Sequence, residues 1–504
     1  MKKSILTRIL AILFAAIMLI SVVACTKDPD KDKESQKPGE SDPVTPQDSE
    51  SQTEVETERD FATENFHNGA TYTIFAYRRA GGSWGAIPAD IYLAEDAGDI
   101  LSSAVYQRGL VIKDNLGVQL EVVEMQNGHT GELLRDINDG EYRYQLTTVL
   151  TNDLGTVVNN GSITSVNKAG IDLNYPWFDK QTVDLLTVKG KTVALSTDIT
   201  YLDKLSTIAF YYNKQMVKDN QFGDLYKMVN DKTWTFDNML TMAESVVPTV
   251  DADGAHTVED TYGITCQNDG GYFFYHASGL TAVSRKADGG LVNSFNTEDA
   301  VNVLEKVLKL MADRRVYLNT QHAETTLGAA DAAEHFASGK SLFFVRPLQS
   351  LFDLSKITDN YGILPFPLMF EGQEQYYSPV NTHTSTHMCF PARPAGEDYV
   401  MTNDVVQWLG SYSRKNLVPV FYEVVLGSRM SMDPDSPKML DIIFSTRNWD
   451  FGYIWNVTNV REVLTNKIGK ASITEGTVKT HIDEYIDAMN TMIGALETTL
   501  GGLE

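Results

Sequence analysis

TYTIFAY (residues 71–77), VQLEVV (118–123) and YQLTTVL (144–150) decide the fold. Each is a short run rich in β-branched, aromatic and aliphatic residues, the composition of a strand. Between the first two, Leu101, Ala104, Val105, Leu110, Val111 and Ile112 recur at helical spacing and stop near Gly117, and a second helix is expected around 133–137. Strand, helix, strand, helix, strand predicts a largely parallel, wound sheet. Such sheets bind ligands at the carboxyl ends of their strands, here the loops GGSWG (81–85) and Thr151-Asn152-Asp153.

Farther along, Asn296 or Thr297 can cap a helix that opens with Glu298 and Asp299 and carries a stripe of Val301, Leu304, Val307, Leu308 and Met311. A last helix is expected from Ile482, Tyr485, Ile486, Met489, Met492, Ile493 and Leu496. Both stripes read as core. With no internal repeat and 444 residues after position 60, the chain is too long for one ordinary α/β core, so two lobes are expected.

The 504 residues hold 42 Lys and Arg against 67 Asp and Glu, a net charge of -25, which argues against nucleic acid as a partner. Lys2, Lys3 and Arg8 precede an apolar run over 9–20 that is too short to span a bilayer, so residues 1–24 read as a signal peptide. Val22-Val23-Ala24-Cys25 resembles the bacterial lipoprotein box, which implies lipidation at Cys25 and anchoring to the outer face of a cell membrane. Residues 26–60 contain two aliphatic residues, Val44 and Val55, and a net charge of -7, so 25–60 is expected to be a disordered acidic tether. The folded part carries -21.

Four further segments carry a resemblance: FYYNK (210–214), KTWTFD (232–237), AAEHFASGKSLFF (332–344) and YGILPFP (361–367). In this order they resemble the extracellular solute-binding proteins of ABC transporters, the carbohydrate-associated family that includes maltose-binding protein. DLNYPWFD (172–179) and MLDIIFSTRNWDFGY (439–453) look like a branch common in lipoproteins of monoderm bacteria. The resemblance implies a two-lobed periplasmic-binding-protein-like fold of type II, with discontinuous lobes and a ligand cleft between them. It places lobe one at 61–200 plus 383–425 and lobe two at 201–382 plus 426–504, with crossings near 198–204, 380–384 and 425. It implies a monomeric carrier of a small-molecule ligand, a sugar, that docks on permease subunits and uses no cofactor. A glycan-active enzyme, or a sensor or adhesin of the same fold, is the alternative.

Sugars offer flat C–H faces and rims of hydroxyls, so their sites pair aromatic platforms with carboxylates, amides and Arg. Trp84 in its Gly-rich loop, with Arg78 beside it, and Asn152 and Asp153 after the third strand are candidates by position. By resemblance, Asp269, Tyr272 and Tyr275 would supply a carboxylate and stacking rings from the second lobe, and Arg346 would follow a strand where the family places contacts. Tyr377 (beside Tyr376) and Asn381 near the second crossing, and Trp449 beside Asp450, complete the set.

No catalytic residue or metal ligand is expected. GGSWG matches a nucleophile elbow, but Pro88 interrupts the helix an elbow needs. His383, His387 and Cys389 fall in a stretch, 382–388, that reads as strand, where residues four apart lie about 13 Å from one another, too far to share zinc. Asp251 and Asp253 lack the remainder of a calcium loop. Whether Cys266 and Cys389 pair is open at this point.

Overall fold

In the computed structural model, β1 (Ala70–Tyr77) lies between two parallel partners, β2 (Val118–Met125) and β3 (Leu146–Leu150), with Ile74 in register with both Val122 and Leu146. Described are residues 61–503 apart from 80–86, 88, 249–256, 324, 359, 395–398 and 424–434. The signal peptide, Cys25, the tether, Trp84 with its GGSWG loop, Asp251 and Asp253, and the crossing near 425 lie outside the described residues.

Between β1 and β2 runs α1 (Ile100–Leu116), begun where the Asp99 carboxylate accepts from the Ser102 N–H and ended by Gly117 at φ 63°. After β2 comes α2 (His129–Asn138), and β3 turns through 151–153 into α3 (Leu154–Asn159) and β4 (Ile163–Thr164). The chain then leaves this sheet to build a second one from β5 (Ile208–Asn213), β6 (Tyr262–Cys266), β7 (Tyr317–Asn319), β8 (Ser341–Pro347) and β9 (Tyr361–Leu364). Their order is β7-β6-β8-β5-β9, with β5 antiparallel to both neighbours. Helices α4 (Phe236–Ser245), α5 (Gly270–Ala277) and α6 (Glu298–Ala312) belong to this half. The Thr297 hydroxyl caps α6, whose buried side is Val303, Leu304, Val307, Leu308 and Met311, with Val301 at the margin. Trp234 is fully enclosed and its indole N–H donates to the Pro365 carbonyl, fastening the start of α4 to the segment after β9.

The FASGK turn restarts the chain into β8, and Gly339 adopts φ 81°, a conformation that costs L side chains energy. Beyond β9, β10 (Ser378–Pro379) leads to β11 (Thr386–Pro391), which returns to the first sheet antiparallel to β3 and completes the order β2-β1-β3-β11-β4. The return confirms two α/β halves built from a discontinuous chain. Where they join, Thr207 bridges Val380, the Asn381 N–H donates to the Ser206 carbonyl at 2.9 Å, and β10 pairs with β12 (Arg447–Asn448). Helices α7 (Val400–Tyr412) and α8 (Ser436–Ser445) precede that strand, and α9 (Phe451–Ile454) and α10 (Ile486–Gly501) follow it.

Two expectations are corrected in detail. The segment 382–388 is not strand throughout. Its first four residues form a turn in which the Asn381 carbonyl accepts from the Thr384 and Ser385 N–H groups, and β11 begins at Thr386. The last helical stripe is split into Val478–Asp483 and α10, and the 3.6-residue period runs on across the break. Cys266 and Cys389 are free, buried in different sheets, and do not pair. Among the described residues no helix is long and apolar enough to cross a membrane.

Candidate functional site

The carboxyl edge of the first sheet gathers the ends of β1 and β3 and the turn before β11. Tyr77, Arg78, Arg79, Thr148 and Thr384 line one pocket there. Arg78 donates to the Ile87 carbonyl, and Arg79 donates through Nη1 to the His383 carbonyl at 3.1 Å. The Asn152 amide donates to Nδ1 of the exposed His383 at 2.7 Å, which makes that ring nitrogen an acceptor. Oδ1 of Asn152 is enclosed and has no partner. Asp153 beside it is half-buried, and burial raises its carboxyl above the usual range against the opposing pull of Arg461 and His383.

The facing edge belongs to β6 and β8. Asp269 accepts from Gln267 Nε2 at 2.9 Å, and its other oxygen lies 3.5 Å from the Thr465 hydroxyl. Arg346, at the end of β8, donates to Gln267 Oε1 and, at 2.8 Å, to the Thr320 hydroxyl, while its Nε is buried without a partner. The Gly270-Gly271 pair that opens α5 permits this packing. A Cβ on Gly271 would lie 2.1 Å from the Leu464 carbonyl oxygen, and one on Gly270 would lie 2.2 Å from the Tyr317 hydroxyl. Only with bare backbone here can the 462–468 segment lie against α5 and bring Thr465 to Asp269.

The chain between β12 and that segment adds the remaining groups. Asp450 caps α9 by accepting from the Gly452 N–H at 2.5 Å. Tyr453, within α9, stacks on Tyr272 at 3.9 Å and shares a hydrogen bond with Thr465 at 3.0 Å. Arg461 donates to the Tyr453 and Ile454 carbonyls, at 2.7 and 2.5 Å, and its Nη2 lies 3.5 Å from the Asn152 carbonyl on the opposite edge. His383 lies within electrostatic reach of Asp269, Arg461, Arg79 and Asp153 together.

Of the residues nominated from sequence, Asn152, Asp153 and Asp269 converge around His383, with Arg346 behind Asp269 through Gln267 and Arg78 in the adjoining pocket. Three aromatic nominations are corrected. Tyr272 is 1% exposed, with its ring against Tyr453 and its hydroxyl on the Val380 carbonyl. Tyr275 is enclosed against His276 and Phe295, and Trp449 is buried beneath the Arg447 guanidinium, 4.7 Å away. All three hold the second half and the joint together and offer no open face. Tyr377 packs on Gly279, where a Cβ would sit 2.3 Å from its ring. Asn381 is a turn-former, its side-chain oxygen accepting from the His383 N–H at 2.8 Å.

His383 and Arg461 were missed as site residues, along with Tyr453 and Thr465. His383 drew notice only as a metal ligand, and among the described residues no group of His, Cys, Asp and Glu is placed to hold a metal ion. Arg461 has no local pattern to mark it, since its importance comes from a fold contact 309 residues away in the chain. Hydroxyl-accepting carboxylates, an amide with an unused acceptor, and Arg donors on facing edges form a hydrogen-bonding set suited to a polyhydroxylated molecule.

A family profile described as bacterial extracellular solute-binding protein matches residues 112–412, more than half of the chain. Curated protein sequences give no match. Among solved structures, a cyclo/maltodextrin-binding protein complexed with maltotetraose is similar at a TM-score of 0.55 and 18% identity, covering 84% of this chain and 97% of that one. The galacto-N-biose/lacto-N-biose I-binding protein of an ABC transporter from Bifidobacterium longum, with lacto-N-biose, gives 0.55 and 13%, covering 86% and 98%. An extracellular solute-binding protein from Staphylococcus aureus, with maltose, gives 0.53 and 14%, covering 84% and 98%. At these identities the likeness shows the fold, two α/β lobes.

Proposed function

Because the chain belongs to the bacterial extracellular solute-binding proteins, we propose that it captures a carbohydrate between its lobes and presents it to the permease of an ABC importer. The observation that carries this reading is the meeting of Asn152 and Asp153 from the first sheet with Asp269 and Arg461 from the second half around an exposed His383. Contacts drawn from two lobes exist together only when the lobes are near, so a ligand that uses both sets favours the closed form. The sugars held by the similar structures support a carbohydrate as ligand.

In this reading the lobes are 61–200 plus 383–425 and 201–382 plus 426–504, and Trp84 supplies a stacking face beside Arg78. The chain acts as a monomer, anchored to the outer face of the membrane through lipid on Cys25, with 25–60 as its tether. Family membership makes it a binding protein rather than an enzyme.

A thermal-shift panel that includes maltose, maltotetraose and lacto-N-biose is expected to yield at least one stabilising sugar. Asp153→Ala and Asp269→Ala should each weaken its binding about tenfold or more, the order of a lost charged hydrogen bond. Unchanged affinity in both would refute the site, and steady turnover of the sugar would refute the carrier role.

A further inference from the structure

Arg461 is held entirely from one side of the cleft. Its Nε and Nη2 donate to the Tyr453 and Ile454 carbonyls, the last of α9, and its guanidinium lies 5.5 Å from the Tyr453 ring centre. The Tyr453 carbonyl also accepts from the Asn456 N–H at 3.2 Å, so the arginine adds a side-chain donor at this helix end and serves as both anchor and C-terminal cap. Tyr453 is in turn fixed by Tyr272 of α5 and by Thr465. This anchoring aims the guanidinium at the turn after β3 in the other sheet. There Nη2 lies 3.5 Å from the Asn152 carbonyl, at the outer limit of a hydrogen bond, and Asp153 feels its charge. Close by, Trp455 packs against Gly155, 3.5 Å from where a Cβ would stand, so the two surfaces already meet edge to edge.

We infer that Arg461 is a positioning residue that latches the lobes, shifting the open–closed equilibrium by engaging the Asn152 carbonyl and the Asp153 carboxylate from its seat on α9. A small approach of the lobes turns the long contact into a charge-assisted bond, which exists in the closed form and is lost in the open one. The latch rests on the two-lobed carrier reading, but it concerns an equilibrium that exists without ligand.

The test therefore uses no ligand. Spin labels at Asn115→Cys on α1 and Lys309→Cys on α6, in the otherwise full chain with Cys25→Ser, report the inter-lobe distance by double electron–electron resonance, since Cys266 and Cys389 are buried. Arg461→Gln is expected to lower the closed-to-open ratio about tenfold, the order of one charged hydrogen bond. Asp153→Asn should move it in the same direction, and the pair together should fall short of the sum of the two. Arg461→Lys, which keeps the charge, should recover part of the ratio. A distance distribution unchanged in Arg461→Gln, with only the melting temperature lowered, would reduce Arg461 to a cap on α9 and overturn the inference. Failure of every sugar to bind would instead sink the proposed ligand and leave this distance result standing on its own.

Discussion

His387 sits within β11, fully enclosed, with Nδ1 against the Ser196 hydroxyl at 3.1 Å and Nε2 without a partner. Burial pushes its pKa down to about 4, with Asp203 pulling it up and Arg447 pushing the same way as burial. In the unfolded chain an imidazole titrates near 6.5, so between these two values the unfolded state binds the extra proton. Stability from this residue is therefore complete above about pH 6.5 and is lost as pH falls toward 4, by on the order of 3 kcal/mol. His387→Gln should flatten that part of the melting-temperature profile, leaving the contribution of His129, which burial also lowers to about 4. An identical acid slope in wild type and variant would remove His387 as its source. At this scale the sequence was legible where a residue follows a strand directly. Asp153 could be nominated from its place after β3, whereas Asp269 was reached only through the family resemblance. Tyr272 and Trp449 could not be sorted from cleft aromatics, because an aromatic near an acidic residue looks the same in a chain whether its ring lines a cleft or fills a core.

Between elements, the junction of β6, α5 and the 462–468 segment depends on two glycines without side chains. Gly271→Ala would drive a Cβ to 2.1 Å from a backbone oxygen, so it should cost about 2 kcal/mol or more and displace Thr465 from Asp269. Gly494→Ala makes the opposite comparison. It lies inside α10 with nothing within 4 Å of the added carbon, and it should stabilise by about 0.5–1 kcal/mol in urea unfolding. Equal effects of the two changes would contradict the packing described. Strands β1, β2 and β3 and helix α1 were readable because period and terminators agree, with Gly117 ending α1 in a left-handed conformation. The split before α10 was not, since the apolar stripe continues in phase through it. Nor was the turn at 382–385, whose β-branched and polar residues resemble a strand until Asn381 gathers their N–H groups.

At the level of the whole molecule, the two halves carry one free cysteine each, so reducing agent should leave the melting temperature unchanged, and a clear drop would mean a bond between Cys266 and Cys389. The net charge of -25 marked the kind of partner to set aside, and the order of the four quoted motifs pointed to the two-lobed architecture, because those motifs are turns and helix starts that define a fold. They carry little about the ligand, because the proposed site draws on segments as distant in the chain as Asn152 and Asp269. Small-angle scattering of the full chain in detergent, with and without the sugar that stabilises it most, tests the central claim most directly. Closure predicts a smaller radius of gyration that saturates at one sugar per chain. A radius unchanged at saturating sugar would contradict it.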